Sequence, residues 1–378
     1  MSGWKQKYSK TVNVLDAAKE RVSFIFDNFE KIIVSISGGK DSTVSVHLIL
    51  EEARKRNRRI GIFFLDEEVI YDSTVKQVEH LMSLYPENIE KMWVQIPFAL
   101  TNAVSHEESQ LIVWEEDKRP VWMRKNKKAD AIKVATWAEG ATIKDKNVGF
   151  AFYDVLSAFE KSHSDTAFIV GLRADESMNR YRAMIKNPVD INGKKIFYAT
   201  KRKYNSFSFY PIYDWHFHDI WKYLYDHKIK YSKMYDWQYK IGLGMREMRC
   251  SSLIHEKSFK SITQLPNFEP KTYQKLIKRI KGISFAQEAG KDSKMFRCQK
   301  IPKNFKNWIE YRDHLLKTYP KEEHKAIFVK RFSRHLENNF VARQQCRQLI
   351  LSDYENNLPV ENKEDPRQVK IEKYKSLF

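Results

Sequence analysis

The chain has 378 residues, of which 42% are hydrophobic and 30% charged, and this balance indicates a folded protein rather than a disordered one. Its formal net charge of +19 favours a polyanionic partner or an anionic ligand. Three cysteines far apart in the sequence exclude a disulfide framework and a Cys-x-x-Cys metal pair, so we expect a reducing, cytoplasmic compartment. The N-terminus lacks the apolar segment of a signal peptide, and no apolar run is long enough to span a bilayer, so we expect no membrane.

Apolar residues at helical spacing predict a first helix over residues 10–29, and the run at residues 32–34 predicts a buried strand. Residues 35–44 then change to glycine and hydroxyl side chains before a second helical pattern begins. Glycines let an anion approach the main chain, and the N–H groups and dipole of a helix start attract it. We therefore predict an anion-binding loop; a serine-capped turn is the ordinary alternative. The residues assigned to the ligand here are Ser35, Ser37, Gly38, Gly39, Lys40, Asp41, Ser42 and Thr43.

Acidic residues follow the second predicted strand, which covers residues 59–65. Carboxylates at the carboxyl end of a strand in an open α/β sheet lie where ligands bind. Asp66 is therefore a candidate to hold a magnesium ion or a ribose hydroxyl, whereas Glu67 and Glu68 are predicted to form a solvated acidic loop. The alternating pattern continues with a helix over residues 72–85 and a strand over residues 92–96.

Residues 99–147 interrupt the alternation of strands and helices with a highly charged segment that contains Trp114, Trp122 and Trp137. Long segments without a pattern of their own inside a compact domain are often functional. We predict an insertion over the carboxyl edge of the sheet. It is either a lid on the substrate or a structural loop pinned by its aromatic residues.

A second candidate stretch follows a predicted helix over residues 150–161 and a predicted strand over residues 167–170. It places Arg173 and Arg180 on either side of an acidic segment, and arginine forks match the geometry of phosphate and sulfate groups. An ion pair between Arg173 and Glu176 is the alternative. From this stretch we assign to the ligand site Gly171, Arg173, Glu176 and Arg180.

Residues 189–209 predict a hairpin that turns at Gly193, and an aromatic stretch follows it. Asp214 is placed to cap a helix that starts at the next residue. His216 and His218 are predicted to be helix-start residues, because no third candidate metal ligand accompanies them.

Three of these stretches resemble one protein family. Residues 37–44 resemble the PP-loop, Ser-Gly-Gly-x-Asp-Ser-Ser/Thr-Val, of the nucleotide alpha-hydrolase-like superfamily, which includes ATP pyrophosphatases and the phosphoadenosine phosphosulfate (PAPS) reductases. Residues 171–180 resemble the Gly-x-Arg-x-x-Glu-Ser-x-x-Arg segment of PAPS-reductase-like proteins, where arginines meet the anionic end of the substrate. Residues 211–221 resemble the Pro-Ile/Leu-x-Asp-Trp-x-x-x-Asp-Val/Ile-Trp segment of the same family. The resemblance covers about residues 30–250 and implies an α/β fold with an open parallel sheet of the adenine nucleotide alpha-hydrolase type.

The cysteines depart from the pattern of the PAPS reductases. Those enzymes use a C-terminal Glu-Cys-Gly-x-His/Leu thiol, whereas the final cysteine here, Cys346, lies in Gln-Gln-Cys-Arg. The paired cysteines that hold a 4Fe–4S cluster in related enzymes are missing from the sequence, so we expect no iron–sulfur cluster. Cys250 is either a reactive thiol, which would support sulfotransfer, or a buried structural residue. The chain thus resembles the non-assimilatory, immunoglobulin-binding regulator A type, which is often paired with a ParB-like partner, and more distantly the DNA phosphorothioation PP-loop proteins.

The sequence from residue 251 onward has a different composition, with 27 Lys and Arg against 15 Asp and Glu, a net +12 of the total +19. Helical patterns that interleave aromatic with basic residues cover residues 269–281, 303–318 and 322–350. This combination indicates nucleic-acid binding through phosphates, and the alternative is a basic helical cap whose aromatic residues form its own core. We expect a PP-loop domain over residues 1–250 and a basic, mainly helical region over residues 251–378.

Two functions from different classes fit these patterns. In the first, the loop holds the terminal phosphates of ATP or a PAPS-like adenine nucleotide, and Asp41 and Asp66 position magnesium. Arg173 and Arg180 grip the alpha phosphate while an acceptor is adenylated and pyrophosphate is released. The catalytic residues are then Lys40, Asp41 and Arg173. In the second, the protein is a nucleotide-sensing regulatory or defence module that acts with DNA or a ParB-like partner without turnover.

Overall fold

The computed structural model describes residues 12–105, 108, 110–125, 127–133, 152–176, 180, 188–244, 248–250, 252–255, 258–281, 283, 301–354, 356, 358 and 360–362. Trp137, Cys298 and residues 363–378 lie outside the described residues. The strands are β1 (Lys31–Ser35), β2 (Ile60–Leu65), β3 (Ile89–Val94), β4 (Phe98–Thr101), β5 (Gln110–Val113), β6 (Thr166–Val170), β7 (Val189–Ile191), β8 (Lys194–Ile196), β9 (Ala199–Lys201) and β10 (Phe207–Phe209).

A six-stranded sheet in the order β3-β2-β1-β6-β10-β9 forms the centre of the fold. Strands β10 and β9 pair antiparallel, and all the other neighbours pair parallel, with Val34 of β1 in register with Ile62 of β2 and Ile169 of β6. All six residues of β2 are buried, as is typical of a parallel sheet covered on both faces. The predicted α/β fold with an open, mostly parallel sheet is confirmed. The chain changes direction across the sheet at β1, because β2 and β3 lie on one side of it and β6 on the other.

Six helices accompany the sheet within the described residues: α1 (Val14–Asn28), α2 (Lys40–Lys55), α3 (Asp72–Ser83), α4 (Phe152–Ser162), α5 (Phe217–Asp226) and α6 (Met234–Lys240). The first begins after Asn13, whose side-chain oxygen accepts the N–H groups of Leu15 and Asp16 at 3.0 and 2.9 Å. The apolar faces of α1, α2 and α3 share one hydrophobic core with the sheet. The helix that begins at Lys40 therefore has a firmly packed body behind its first turn.

The helix after the aromatic stretch is capped differently from the sequence-based expectation. Asp214 does not cap α5; its two carboxylate oxygens instead accept from the guanidinium of Arg21 at 2.7 and 2.6 Å. His216 is the residue that precedes the helix, and its N–H donates to the carboxylate of Asp219 at 2.6 Å. Asp214 thus pairs with an arginine almost 200 residues away in sequence and does not cap the helix that follows it.

The chain divides into two compact units, Met1–Ala99 with Ile112–Leu253, and Leu100–Leu111 with Ile254–Phe378. Two short hairpins supplement the central sheet. Strands β7 and β8 pair antiparallel around Gly193, which has the positive φ of +77° that such a tight turn requires, as its sequence predicts. Strands β4 and β5 form the other two-stranded sheet.

The second unit is helical and contains α7 (Phe259–Phe268), α8 (Pro270–Arg279), α9 (Trp308–Lys317), α10 (Glu322–Phe332) and α11 (Asn339–Ile350). Phe328, Phe332 and Leu349 form one buried cluster, and Cys346 and Ile350 form another. The aromatic residues of this unit therefore build part of its own core. Within the described ranges, no helix combines the length and the apolar composition that crossing a bilayer requires.

Candidate functional site

A cavity of about 680 Å³ lies where the chain leaves the carboxyl ends of β1 and β6. In an open α/β sheet, ligands bind at the point where the strand order changes direction, and β1 and β6 flank that point here. Most of the residues assigned from the sequence line this cavity: Ser35, Ser37, Gly39, Lys40, Asp41, Ser42, Gly171, Arg173, Glu176 and Arg180. Gly38, Thr43 and Asp66 are not among the lining residues.

The loop after β1 is held by contacts of its own. Ser42 Oγ accepts the N–H of Ser37 at 3.3 Å, and Ser37 Oγ accepts the N–H of Gly39 at 3.4 Å. Both contacts are longer than the usual 2.9 to 3.0 Å of an N–H···O bond, so a ligand oxygen competes with them at little cost. Gly38 shapes the loop with a φ of +72°, and a Cβ there would lie 2.8 Å from Thr74 Cγ2.

Thr43 acts behind the loop rather than in the cavity. It is fully buried, its hydroxyl donates to the carbonyl of Gly39 at 2.9 Å, and it accepts from Gln77 Nε2 at 3.3 Å. Its side chain therefore ties the first turn of α2 to α3.

Lys40, Asp41 and Arg173 form a buried charged triad in the wall of the cavity. Asp41 Oδ2 accepts from Lys40 Nζ at 2.8 Å, and Asp41 Oδ1 accepts from Arg173 Nε at 2.5 Å. Arg173 Nη1 has no hydrogen-bond partner among the described residues, and its nearest ion-pair contact is Asp175 at 3.8 Å. Arg173 Nη2 is 3.5 Å from Glu176, so the predicted alternative partner is present but secondary to Asp41.

Two further arginines enlarge the positive charge. Arg180 contacts the carboxylate of Glu176, and Arg249 lines the same cavity. Burial lowers the pKa of Arg180, and the neighbouring guanidinium groups of Arg249 and Arg173 lower it further. The cavity lining thus holds Lys40 and three arginines against the three carboxylates Asp41, Asp175 and Glu176, and this excess of positive charge favours an anionic ligand.

Gly171 brings β6 against the start of α2. A Cβ at this position would lie 2.9 Å from the backbone carbonyl carbon and oxygen of Asp41 and 3.0 Å from the backbone nitrogen of Ser42. Such separations are too short for any side chain, so only glycine permits this approach of strand to loop.

Sequence reasoning missed Tyr235, which is 3% exposed and lines the cavity. Its hydroxyl accepts the N–H of Lys40 at 3.1 Å, and its ring centroid lies 5.4 Å from Lys40 Nζ. Phe217 offers a second ring at 5.6 Å from the same ammonium. Burial raises the pKa of Tyr235 well above its usual value, so the hydroxyl stays protonated.

Cys250, His216 and His218 also line the cavity. Burial raises the pKa of the Cys250 thiol, which is the opposite of the shift that a reactive thiolate needs. His216 Nδ1 lies 3.4 Å from Asp175, and both histidines stand at the start of α5, as the sequence predicts.

Asp66 requires a correction, because it is fully buried away from the cavity. Its carboxylate accepts from Trp93 Nε1 at 2.9 Å and from Gln95 Nε2 at 2.8 Å, and it pairs with Arg124. Glu68 is fully buried as well, and its carboxylate accepts the N–H of Trp114 at 2.7 Å, so this acidic segment is not a solvated loop. Burial raises the pKa of the neighbouring Glu67 to about 7.

The described part of the predicted insertion is held by contacts of its aromatic residues. Trp114 and Trp122 are buried and stack edge to face with centroids 5.2 Å apart. Trp114 Nε1 donates to the carbonyl of Asp66 at 2.7 Å. None of the described residues between 99 and 133 lines the cavity.

The magnesium site predicted at Asp41 and Asp66 does not fit these residues. Both oxygens of Asp41 already face cations, and Asp66 belongs to a different network. The other cavity carboxylates, Asp175 and Glu176, also face arginine or histidine side chains. Within the described residues, no three His, Cys, Asp or Glu side chains are grouped as metal ligands.

Two domain families and one known protein match this sequence. The phosphoadenosine phosphosulfate reductase domain matches residues 31–262, and a domain of unknown function (DUF3440) matches residues 242–365. The uncharacterized protein YbdN of Escherichia coli (strain K12) is 29% identical over 325 residues, which cover 82% of this chain and 76% of that protein.

The solved structures to which this chain is similar are more distant in sequence. The PAPS reductase of Candida auris in its phosphate complex has 12% identity and a TM-score of 0.34, over 58% of this chain and 84% of that chain. The FMN adenylyltransferase of Candida glabrata in complex with ATP has 12% identity and a TM-score of 0.33, over 60% and 61%. The U34-tRNA thiolase NcsA of Methanococcus maripaludis with its 4Fe–4S cluster has 12% identity and a TM-score of 0.30, over 74% and 79%.

The sequence match to the reductase domain spans more than half of the chain. It includes both the loop after β1 and the arginine segment after β6, which the fold brings to one cavity. On that basis the chain belongs to the phosphoadenosine phosphosulfate reductase domain family.

Proposed function

We propose that the cavity binds an adenine nucleotide and that the protein transfers AMP from ATP to an acceptor, with release of pyrophosphate. One observation carries the proposal. Arg173 is 4% exposed and lines the cavity, yet its Nη1 has no hydrogen-bond partner among the described residues. A buried guanidinium nitrogen without an acceptor costs free energy, and a phosphate oxygen of the ligand would remove that cost.

The proposed reaction is a displacement at the alpha phosphorus of ATP. A lone pair of the acceptor forms a bond to this phosphorus, and the bond to the oxygen that bridges the alpha and beta phosphates breaks. Pyrophosphate leaves with that electron pair, and the proton of the acceptor passes to solvent. No side chain forms a covalent bond in this scheme, so the protein acts by positioning and by stabilising charge.

The described residues divide this work between two ends of the cavity. The loop after β1 receives the pyrophosphate end, where Lys40 supplies an ammonium and α2 supplies the positive end of its dipole. Arg173 and Arg180, from the segment after β6, meet the alpha phosphate. Asp41 positions Arg173 through their hydrogen bond and offsets part of the buried charge.

A nucleotide-sensing module without turnover is the second candidate, and the pairing of Asp41 favours it. Both oxygens of this carboxylate face cations, and Asp175 and Glu176 face arginine or histidine side chains. Among the described lining residues, no carboxylate is therefore set apart for a metal ion that would activate the phosphates. In this candidate the nucleotide binds and is released unchanged, and the effect passes to nucleic acid or to a ParB-like protein partner.

The test incubates the full-length protein with alpha-labelled ATP, with and without magnesium and DNA, and separates the products. Release of pyrophosphate with the label on an adenylated acceptor supports adenylyl transfer, and free labelled AMP shows that water is the acceptor. Tight binding of ATP or PAPS by calorimetry without products supports the sensing module. Failure of the wild-type protein to bind either nucleotide overturns both candidates.

Variants of one arginine sharpen the test. Arg173→Gln removes the buried charge and is expected to weaken nucleotide binding about 10- to 100-fold, the usual effect of losing hydrogen bonds to a charged group. Arg173→Lys keeps the charge but loses the fork and should recover only part of the affinity. Arg119→Gln, an exposed arginine outside the cavity, is the matched control and should bind like the wild type.

A further inference from the structure

We propose that α8 binds the phosphate backbone of nucleic acid through a ridge of lysines, independently of the nucleotide cavity. Lys271, Lys275 and Lys278 are all exposed on this helix. At 100° per residue, the three positions fall within about 60° of the helix circumference, and they span about 10 Å along its axis. Lys281, just beyond the helix, is exposed as well. We call these four residues the lysine ridge.

The opposite face of α8 is committed to the second unit itself. Leu276 and Ile280 are 0% and 1% exposed, and Thr272 and Arg279 are buried. The helix starts with Pro270 at its first position, directly after α7, so its orientation within the unit is fixed at that corner. The ridge is therefore the face that remains available to a partner.

The helix itself gains little from the ridge. Lys271 lies in the first turn, where the positive end of the helix dipole disfavours a cation. Lys271 and Lys275 are four residues apart, so their like charges repel at a cost of a few tenths of a kcal/mol. There is no acidic residue between Pro270 and Ile280 to offset them. A cation in the last turn, such as Lys278, stabilises the helix through its dipole. The other lysines of the ridge do not stabilise the helix, so their presence needs another explanation.

No ion pair to these lysines occurs within the described residues, which separates the ridge from the paired surface lysines elsewhere. Lys55, for example, lies 2.9 Å from Glu51, and Lys222 lies 2.8 Å from Asp226. The net charge of +12 after residue 250 adds a long-range attraction for a polyanion.

The partner that fits is a phosphodiester backbone rather than a membrane surface. Interfacial helices insert an apolar face with Trp, Phe or Leu, but Leu276 and Ile280 of α8 are buried in the unit. Ile277, at 41% exposure, is the only large apolar residue that this helix presents. Among the described residues, the lysines of the ridge have no aromatic partners and no arrangement that reads base edges. We therefore expect contacts with phosphates that do not depend on the nucleotide sequence.

The experiment measures the binding of a labelled DNA duplex and of single-stranded RNA to the full-length protein by fluorescence anisotropy at 50 to 200 mM salt. Three phosphate contacts predict that affinity falls about 40-fold over this range from the ridge alone. Lys271→Gln/Lys275→Gln/Lys278→Gln should weaken binding at least tenfold and lower the slope of log K against log salt by about 3. Glutamine is a good helix former, so α8 should remain folded, and circular dichroism checks this.

The matched control removes the same charge from exposed lysines of the first unit, Lys118, Lys195 and Lys203, by the same change to glutamine. This triple variant should keep most of the affinity. Equal losses of nucleic-acid affinity in the two triple variants would show a general effect of net charge and overturn the proposal. The proposal would also be overturned if the wild-type protein binds anionic phosphatidylserine vesicles but no nucleic acid, and only the ridge variant loses the vesicle binding. Single ridge variants should each lower the slope by about 1, which tests the proposal even if the triple variant unfolds.

Discussion

Asp41 takes a different role in the structure from the one its motif position predicts. The sequence predicts that Asp41 is a magnesium ligand, but its carboxylate lies between the ammonium of Lys40 and the guanidinium of Arg173. The three side chains therefore behave as one unit with a net charge of +1. Pairing with Asp41 offsets part of the desolvation cost that two unpaired buried cations would carry, and it leaves one excess positive charge for an anion.

His47, on the helix that follows the loop, makes stability depend on pH. Burial lowers its pKa from 6.5 to about 4, helped by His80 and His227. Between these values the unfolded chain binds a proton that the folded chain does not, so stability falls as the pH falls from 6.5 to 4, by up to about 3 kcal/mol. Glu67 acts in the opposite direction between pH 4.5 and 7, because its pKa is raised to about 7.

Because these two effects oppose, the prediction concerns a difference between proteins. His47→Gln cannot take up the proton, so this variant should lose less stability than the wild type between pH 6.5 and 4. Urea unfolding at several pH values measures it, and replacement of the exposed His314 by glutamine is the control. Parallel curves for wild type and His47→Gln would contradict the assignment.

Gly171 shows how one strand and one helix set the geometry of the cavity. Gly171→Ala would push β6 away from the backbone of Asp41 and Ser42, since the added Cβ has no space. We expect a stability loss of about 1 to 3 kcal/mol and a larger loss of nucleotide affinity, measured by urea unfolding and calorimetry.

Gly242→Ala is the matched control for Gly171→Ala. Its φ of +73° strains an alanine, but the added Cβ meets no atom within 4 Å. It should reduce stability without changing affinity. If both variants bind ATP equally well, the close approach at Gly171 does not set the cavity.

At the level of elements, the sequence predicts what depends on neighbours along the chain. The loop after β1 and Arg173 after β6 each follow an apolar strand, so parallel pairing brings both to one edge. Asp66 also ends a strand, but β2 lies on the other side of β1, where Trp93 and Gln95 supply its donors. The order of the strands in the sheet, which no local sequence pattern encodes, therefore decides that Arg173 lines the cavity and Asp66 does not.

Tyr235 could not be assigned for a related reason. Its hydrogen bond to Lys40 joins residues 195 positions apart, and nothing in the sequence around Tyr235 marks it as polar and functional. Arg249 also reaches the cavity from a segment without a motif of its own, whereas the sequence does single out its neighbour Cys250 as a candidate thiol.

For the whole molecule, the division into two units gives a prediction about truncation. Leu100–Leu111 clusters with the second unit, and the N–H of Ala103 donates to the carbonyl of Ile254 at 3.0 Å. A chain that ends at Leu253 would lose this acceptor and leave the N–H of Ala103 without its partner.

We expect limited proteolysis of the truncated chain to cut within residues 100–111 at least tenfold faster than in the full-length protein, because the open segment fits a protease. Mass spectrometry of the fragments locates the cuts. Equal protection in both chains would show that the first unit holds this segment by itself.

The network around Asp66 has a consequence for the order in which the chain folds. The strands can pair before the donors from Trp114 and Arg124 arrive, because those lie 48 and 58 residues further along. Until then the carboxylate of Glu68, which accepts the N–H of Trp114 in the folded protein, stays hydrated. This strand end is therefore buried late in folding, after the sheet itself has paired.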